Sequence, residues 1–72
     1  MTKLTQDDIR LGKRIAKLRG KAELTQEGLA DKVHVSTTHI GLIETGKRRV
    51  SLKTLQKIAS VLKTKVKDIL PF

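Results

Sequence analysis

Between Thr25 and Gly46 the chain reads TQEGLADKVHVSTTHIGLIETG, and this stretch restricts the fold more than any other. Thr25 and Ser36 each stand just before a run with helical spacing. A hydroxyl there accepts a backbone N–H that has no partner within its own helix. The spacing predicts a helix from about Gln26 to Val33, burying Leu29, Ala30 and Val33, with Leu24 packing from the loop before it. A second helix is predicted from Thr37 to Thr45, with Ile40 and Ile43 inward and Thr37, Thr38, Gly41 and Leu42 outward. Gly46 supplies a left-handed stop.

The flanking segments read as helices too. Thr5, followed by Gln6, Asp7 and Asp8, opens one with acids facing the positive end of its dipole. Leu11, Ile15 and Leu18 continue it, and it is expected to end near Gly20. Ser51 caps another, whose Leu52, Leu55, Ile58, Ala59 and Leu62 are predicted to form one apolar stripe. A last turn covers Val66 to Leu70 before Pro71. No segment alternates with the period of a strand. The expected fold class is therefore all-α: one five-helix domain over 1–72, continuously folded from about Leu4 to Leu70, with the central two-helix unit at about 25–46.

Sixteen Lys and Arg against seven Asp and Glu leave a net charge of +9 on 72 residues. Such a balance favours polyanionic partners. There is no membrane-length apolar stretch and no leader-like run after Met1, so the expected location is the cytoplasm, with no membrane partner. The chain has no Cys, which removes disulfides and thiolate metal sites. Its one aromatic residue is Phe72, so bases have no stacking platform. Duplex DNA fits better than single strands. Two capped helices around a tight turn are the layout of a helix-turn-helix, whose second helix enters the major groove.

With these elements in order, the chain resembles the Cro/CI repressor-type, or XRE-like, helix-turn-helix domains. The resemblance is carried by Leu11-Gly12-Lys13-Arg14-Ile15 and Leu18-Arg19, by Leu24-Thr25-Gln26-Glu27 and Leu29-Ala30, and by Val35-Ser36. Ile40, Ile43-Glu44 and Gly46-Lys47-Arg48 follow, then Ser51-Leu52, Thr54-Leu55, Ile58-Ala59 and Leu62. It covers nearly the whole chain. It implies a compact lambda-repressor-like domain of five helices that binds operator DNA as a dimer.

The resemblance also implies roles. Gln26 contacts a phosphate beside the exposed amides of a helix N-terminus. Ser36, Thr37, Thr38, His39 and Leu42 read bases, with methyl groups suited to thymine rather than the forked amides and guanidinia that read adenine or guanine. By position rather than by resemblance, Lys47, Arg48 and Arg49, just past the second helix of the unit, are expected to grip phosphates and Arg14, with Lys13 and Lys17, to extend that grip; a solvated charged face is the alternative reading. Arg19 and Glu44 match a structural ion pair; two exposed, independent charges are the alternative reading.

Departures from the family pattern matter as well. Gly28 replaces a common Glu, so Thr25 has no reciprocal capping partner. His34 and Lys63 stand where Gly is usual, and Lys65 where Ser or Asp often caps the last helix. His34 and His39 do not share a helical face, so no metal site is expected. Nor is a cofactor, a small-molecule substrate or an enzyme activity, since no nucleophile–base pair or Gly-rich phosphate loop is present. The apolar tail Ile69-Leu70-Pro71-Phe72 either folds onto the core or joins exposed parts of the last two helices, such as Val61, in a homodimer interface; the second is the expectation.

The expected function is a sequence-specific regulator of transcription on duplex DNA, a repressor on an inverted-repeat operator. A restriction-modification controller is one subclass of that kind. The alternative is an antitoxin-type protein whose main partner is a toxin and whose DNA binding is autoregulatory.

Overall fold

The computed structural model describes residues 5–71, so Leu4 and Phe72 lie outside the described residues. Five helices follow in order: α1 (Gln6–Lys21), α2 (Gln26–Val33), α3 (Thr37–Glu44), α4 (Leu52–Val61) and α5 (Val66–Ile69). No strand occurs among the described residues.

Each of the first four helices starts on a hydroxyl. Thr5, Thr25, Ser36 and Ser51 lie in extended backbone and accept the N–H of Asp8, Gly28, His39 and Thr54 respectively. At α1 the arrangement is reciprocal, because the Thr5 N–H donates to Asp8 Oδ2 at 2.7 Å while Thr5 Oγ1 accepts from the Asp8 N–H at 3.3 Å. This is a capping box, and each half satisfies an amide that the helix leaves unpaired. Asp8 accordingly does more than favour the helix dipole. Lys65, which precedes α5, makes no side-chain cap bond.

The first four helices also end alike. After each, a residue with positive φ is followed by one whose N–H reaches five residues back: Leu24 to Arg19 O, Val35 to Ala30 O, Lys47 to Leu42 O and Thr64 to Ala59 O. This is the Schellman arrangement. The left-handed residues are Glu23, His34, Gly46 and Lys63, with φ of 59°, 61°, 73° and 56°. Only one is glycine. α1 ends at Lys21, near Gly20 as expected, and the left-handed residue that follows is Glu23.

The core gathers Ile15 from α1, Leu29, Ala30 and Val33 from α2, Ile40 and Ile43 from α3, and Leu55, Ile58 and Ala59 from α4. Ile69 from α5 completes it. Complete burial of a branched side chain contributes about 1.5–3 kcal/mol, so these residues dominate stability. α2 packs against both α3 and α4, α1 against α3 and α5, and α4 against α5.

Two expectations need correction. Leu52, the first residue of α4, is not part of the buried stripe; it is 64 % exposed. Ile69 is completely buried in the chain's own core, and Leu70 and Val61 pack partly against the same core. Ile69 is therefore not available to a second copy, while Leu70 and Val61 keep part of their surface exposed.

Candidate nucleic-acid interface

The placement of α3 depends on two close approaches to α1. Gly12 lies against the last turn of α3, where a Cβ would collide with the Ile43 carbonyl oxygen. Gly46, just past α3, lies against Ile9, where a Cβ would come within 2.7 Å of Ile9 Cγ1 and 2.9 Å of its Cα. The absence of side chains at both points lets two backbones meet.

A buried polar cluster fixes the same joint. Arg19 Nε donates to Glu44 Oε2 at 2.6 Å, and a second guanidinium nitrogen donates to Oε1 at 3.1 Å. The third nitrogen donates to the Leu24 carbonyl at 2.7 Å, and Gln26 Nε2 donates to Glu44 Oε1 at 2.9 Å. Side-chain exposure is 19 % for Arg19 and 5 % for Glu44, so this is not a pair of independent surface charges. Hydrogen bonding to Glu44 raises the Arg19 pKa above its ordinary value, against the opposing effect of burial. The bidentate contact, the loop carbonyl and the α2 amide together orient α1, α2 and α3 through one carboxylate.

With its rear committed in this way, α3 presents its front. Ser36, Thr37 and Thr38 are exposed, while His39, Gly41 and Leu42 are half-buried. The Ser36 hydroxyl oxygen is already an acceptor for the His39 N–H at 3.0 Å. Its own O–H remains a donor. Gly41 is not required by packing, since a Cβ there would make only an ordinary contact, 3.6 Å from Gln26 Oε1. Thr45 Oγ1 donates to the carbonyls of Gly41 and Leu42 at 3.0 and 3.3 Å, tightening the last turn.

The loop after α3 carries three cations. The Lys47 and Arg48 N–H groups both donate to Leu42 O, at 2.9 and 3.2 Å, so the loop backbone is tied to the helix it follows. The side chains of Lys47, Arg48 and Arg49 are exposed. Arg49 Nε also donates to Asp8 Oδ2 at 3.3 Å, linking the loop to the start of α1.

Arg14 stands elsewhere. Its guanidinium donates twice to the Asp68 carbonyl, at 3.1 and 3.3 Å, and so faces α5 rather than the α3 loop. The expected extension of the phosphate grip therefore does not assemble around Arg14. Counted around α1, it lies about 140° from Arg19 and about 160° from Gly12, which touch α3. Gln26 is present at the front of α2, but one of its amide hydrogens is committed to Glu44. His34 and His39 do not converge, and no cluster of metal-ligating side chains occurs among the described residues. No helix among those residues is long and apolar enough to cross a membrane.

The family model described as helix-turn-helix matches residues 15–69. The control protein C.MunI from a Mycoplasma species is 44 % identical over 55 residues, covering 75 % of this chain and 74 % of that protein. The control protein C.BamHI from Bacillus amyloliquefaciens is 38 % identical over 69 residues, covering 92 % and 85 % respectively. Among solved structures, the restriction-modification controller protein C.AhdI from Aeromonas hydrophila superposes with a TM-score of 0.87 at 30 % identity, covering 92 % of this chain and all of that one. The chain belongs to the helix-turn-helix family in its Cro/CI, or XRE-like, form and is a DNA-binding transcriptional regulator.

Proposed function

We propose that this protein is a homodimeric repressor of controller type that occupies an inverted-repeat operator in duplex DNA. The supporting observation is the division of α3: Ile40, Ile43 and Glu44 are buried against the scaffold, while Thr37 and Thr38 stand exposed on a helix that leads into an exposed cationic loop.

In this reading Ser36, Thr37, Thr38, His39 and Leu42 meet base edges. The threonine methyls and Leu42 favour thymine methyl groups, and the hydroxyls bond a base edge or phosphate. Lys47, Arg48 and Arg49 hold the phosphates. Gln26 joins them through its remaining amide hydrogen. Arg14 is left out of the phosphate set because it is engaged at α5. The matches to C.MunI, C.BamHI and C.AhdI support the controller reading.

The test is selection from a random duplex-DNA pool at near-physiological salt. The expected product is an inverted repeat whose half-sites lie about 34 Å apart along one face of the duplex. Retention without enrichment would overturn the sequence-specific reading. Repeating the selection with Thr37→Gln assigns the reader: one position per half-site should change preference, and an unaltered motif would remove Thr37 from the base-reading set.

A further inference from the structure

The side of α1 turned away from α3 carries a second basic surface. Successive residues of an α-helix advance by about 100°, so Arg10, Lys13, Arg14, Lys17 and Lys21 fall within a sector of about 100°. The middle of that sector lies roughly opposite the Gly12 and Arg19 directions that meet α3. All five side chains are exposed. They border a cleft of ≈ 530 Å³ that has Leu18 and Pro71 in its lining.

Leu18 and Lys21 also line an adjoining cleft of ≈ 680 Å³ between α1, the loop before α2 and the end of α4. There Leu24, Val61 and Leu62 supply apolar surface, while Lys32 and Lys63 add to the basic rim. The two clefts share Leu18 and Lys21 in their lining, so they adjoin along α1 and together make a trough in which apolar side chains lie among lysines and arginines. No carboxylate lines either cleft among the described residues; Asp7 reaches the edge only through an exposed contact of 3.8 Å with Arg10.

We propose that this trough docks an acidic amphipathic helix of a partner protein, placing leucine-like side chains on the floor and carboxylates against the lysine rim. Charge complementarity selects the occupant. A second copy using the same face in a two-fold contact would oppose one basic rim to the other. A duplex would engage the cations but leave the floor of Leu18, Leu24, Val61 and Leu62 without a matching apolar surface. A helix with an apolar stripe and an acidic face satisfies both requirements, as helix-in-groove recognition does. Because the trough lies across α1 from α3, the partner and the operator can be held together.

The probe is a fluorescein-labelled glutamate-rich peptide with leucines spaced at i, i+4 and i+7, followed by anisotropy at near-physiological salt with the full chain. The patterned peptide should bind more tightly than one of the same composition with its leucines scrambled, and it should bind protein already saturated with duplex DNA. Combining Lys21→Glu with Lys63→Glu, both in the lining of the larger cleft, should weaken it by about tenfold or more. The thermal melt of that variant verifies its fold. Val61→Thr, which alters the floor without altering charge, provides a second variant and should reduce the advantage of the patterned peptide over the scrambled one. Equal affinity for the two peptides, displacement of the peptide by DNA, or binding indifferent to both variants would overturn the proposal. Greater loss of duplex binding than of peptide binding by the double variant would assign the face to DNA instead.

Discussion

The ends of α2 and α3 have the same backbone geometry and different residues. His34 and Gly46 both adopt left-handed φ, 61° and 73°, and both close a helix with a Schellman bond. Yet His34 is exposed, whereas Gly46 lies against the backbone of α1. A left-handed conformation disfavours a side chain by only about 1–2 kcal/mol, which a well-packed domain absorbs. Steric contact with another helix is less forgiving. Glycine is thus indispensable at the end of α3 because of what it touches, more than because of its φ.

The sharpest challenge to that comparison is Gly46→Ala. The added Cβ meets Ile9 as well as an unfavourable φ, and the expected loss is about 4 kcal/mol in chemical denaturation. A loss near 1 kcal/mol would mean that φ alone governs the position. Arg19→Ala tests the polar half of the same joint. It leaves the buried Glu44 carboxylate without its guanidinium, for an expected loss of about 3 kcal/mol. A fall below about 1 kcal/mol would reduce the pair to an ordinary surface contact.

His34→Gly and Lys63→Gly work in the opposite direction. Each relieves a left-handed side chain at an exposed helix end while increasing the freedom of the unfolded chain, and the net expectation is a gain of about 0.5–1 kcal/mol per site. Loss of stability at both would refute the strain assigned to them.

The smallest effect concerns Asp8, the residue that joins α1 to the loop beyond Gly46. Accepting the Thr5 backbone N–H holds its carboxyl below the ordinary 3.8, with the Thr5 hydroxyl and Arg49 acting in the same direction and burial opposing them. A depressed folded-state pKa stabilises the native chain above the unfolded value, and that contribution disappears as pH falls through the folded value. The wild type should therefore exceed Asp8→Asn by under about 1 kcal/mol at neutral pH, and the gap should close in acid below the ordinary value. A pH-independent gap would mean that the charge of Asp8 contributes nothing.

The same contrast explains what could be read from the sequence. Helix starts were legible because Thr5, Thr25, Ser36 and Ser51 are chemically marked, and the unmarked start at Lys65 indeed lacks a side-chain cap. The reciprocal bond at Asp8 had a signal, Thr-x-x-Asp, that the dipole argument overlooked. Helix ends were harder: α1 stops near Gly20 as expected, but Glu23 gives no outward sign of being the left-handed residue beyond it. Leu52 fits an apolar period but is exposed, and periodicity carries no information about where a covering helix stops. In the candidate interface, the exposure of Thr37 and Thr38 followed from helical spacing. The engagement of Arg14 with Asp68 and of Gln26 with Glu44 depends on contacts distant in sequence, which local patterns do not encode.

The division of labour within α3 has a consequence for how such a protein changes over generations. Thr37 and Thr38 have no part in the buried core, while Ile40, Ile43 and Glu44 hold the helix in place. On the proposed base-reading role, these two front positions can be exchanged as a cassette, and a change of operator preference made there leaves the buried face of this eight-residue helix untouched.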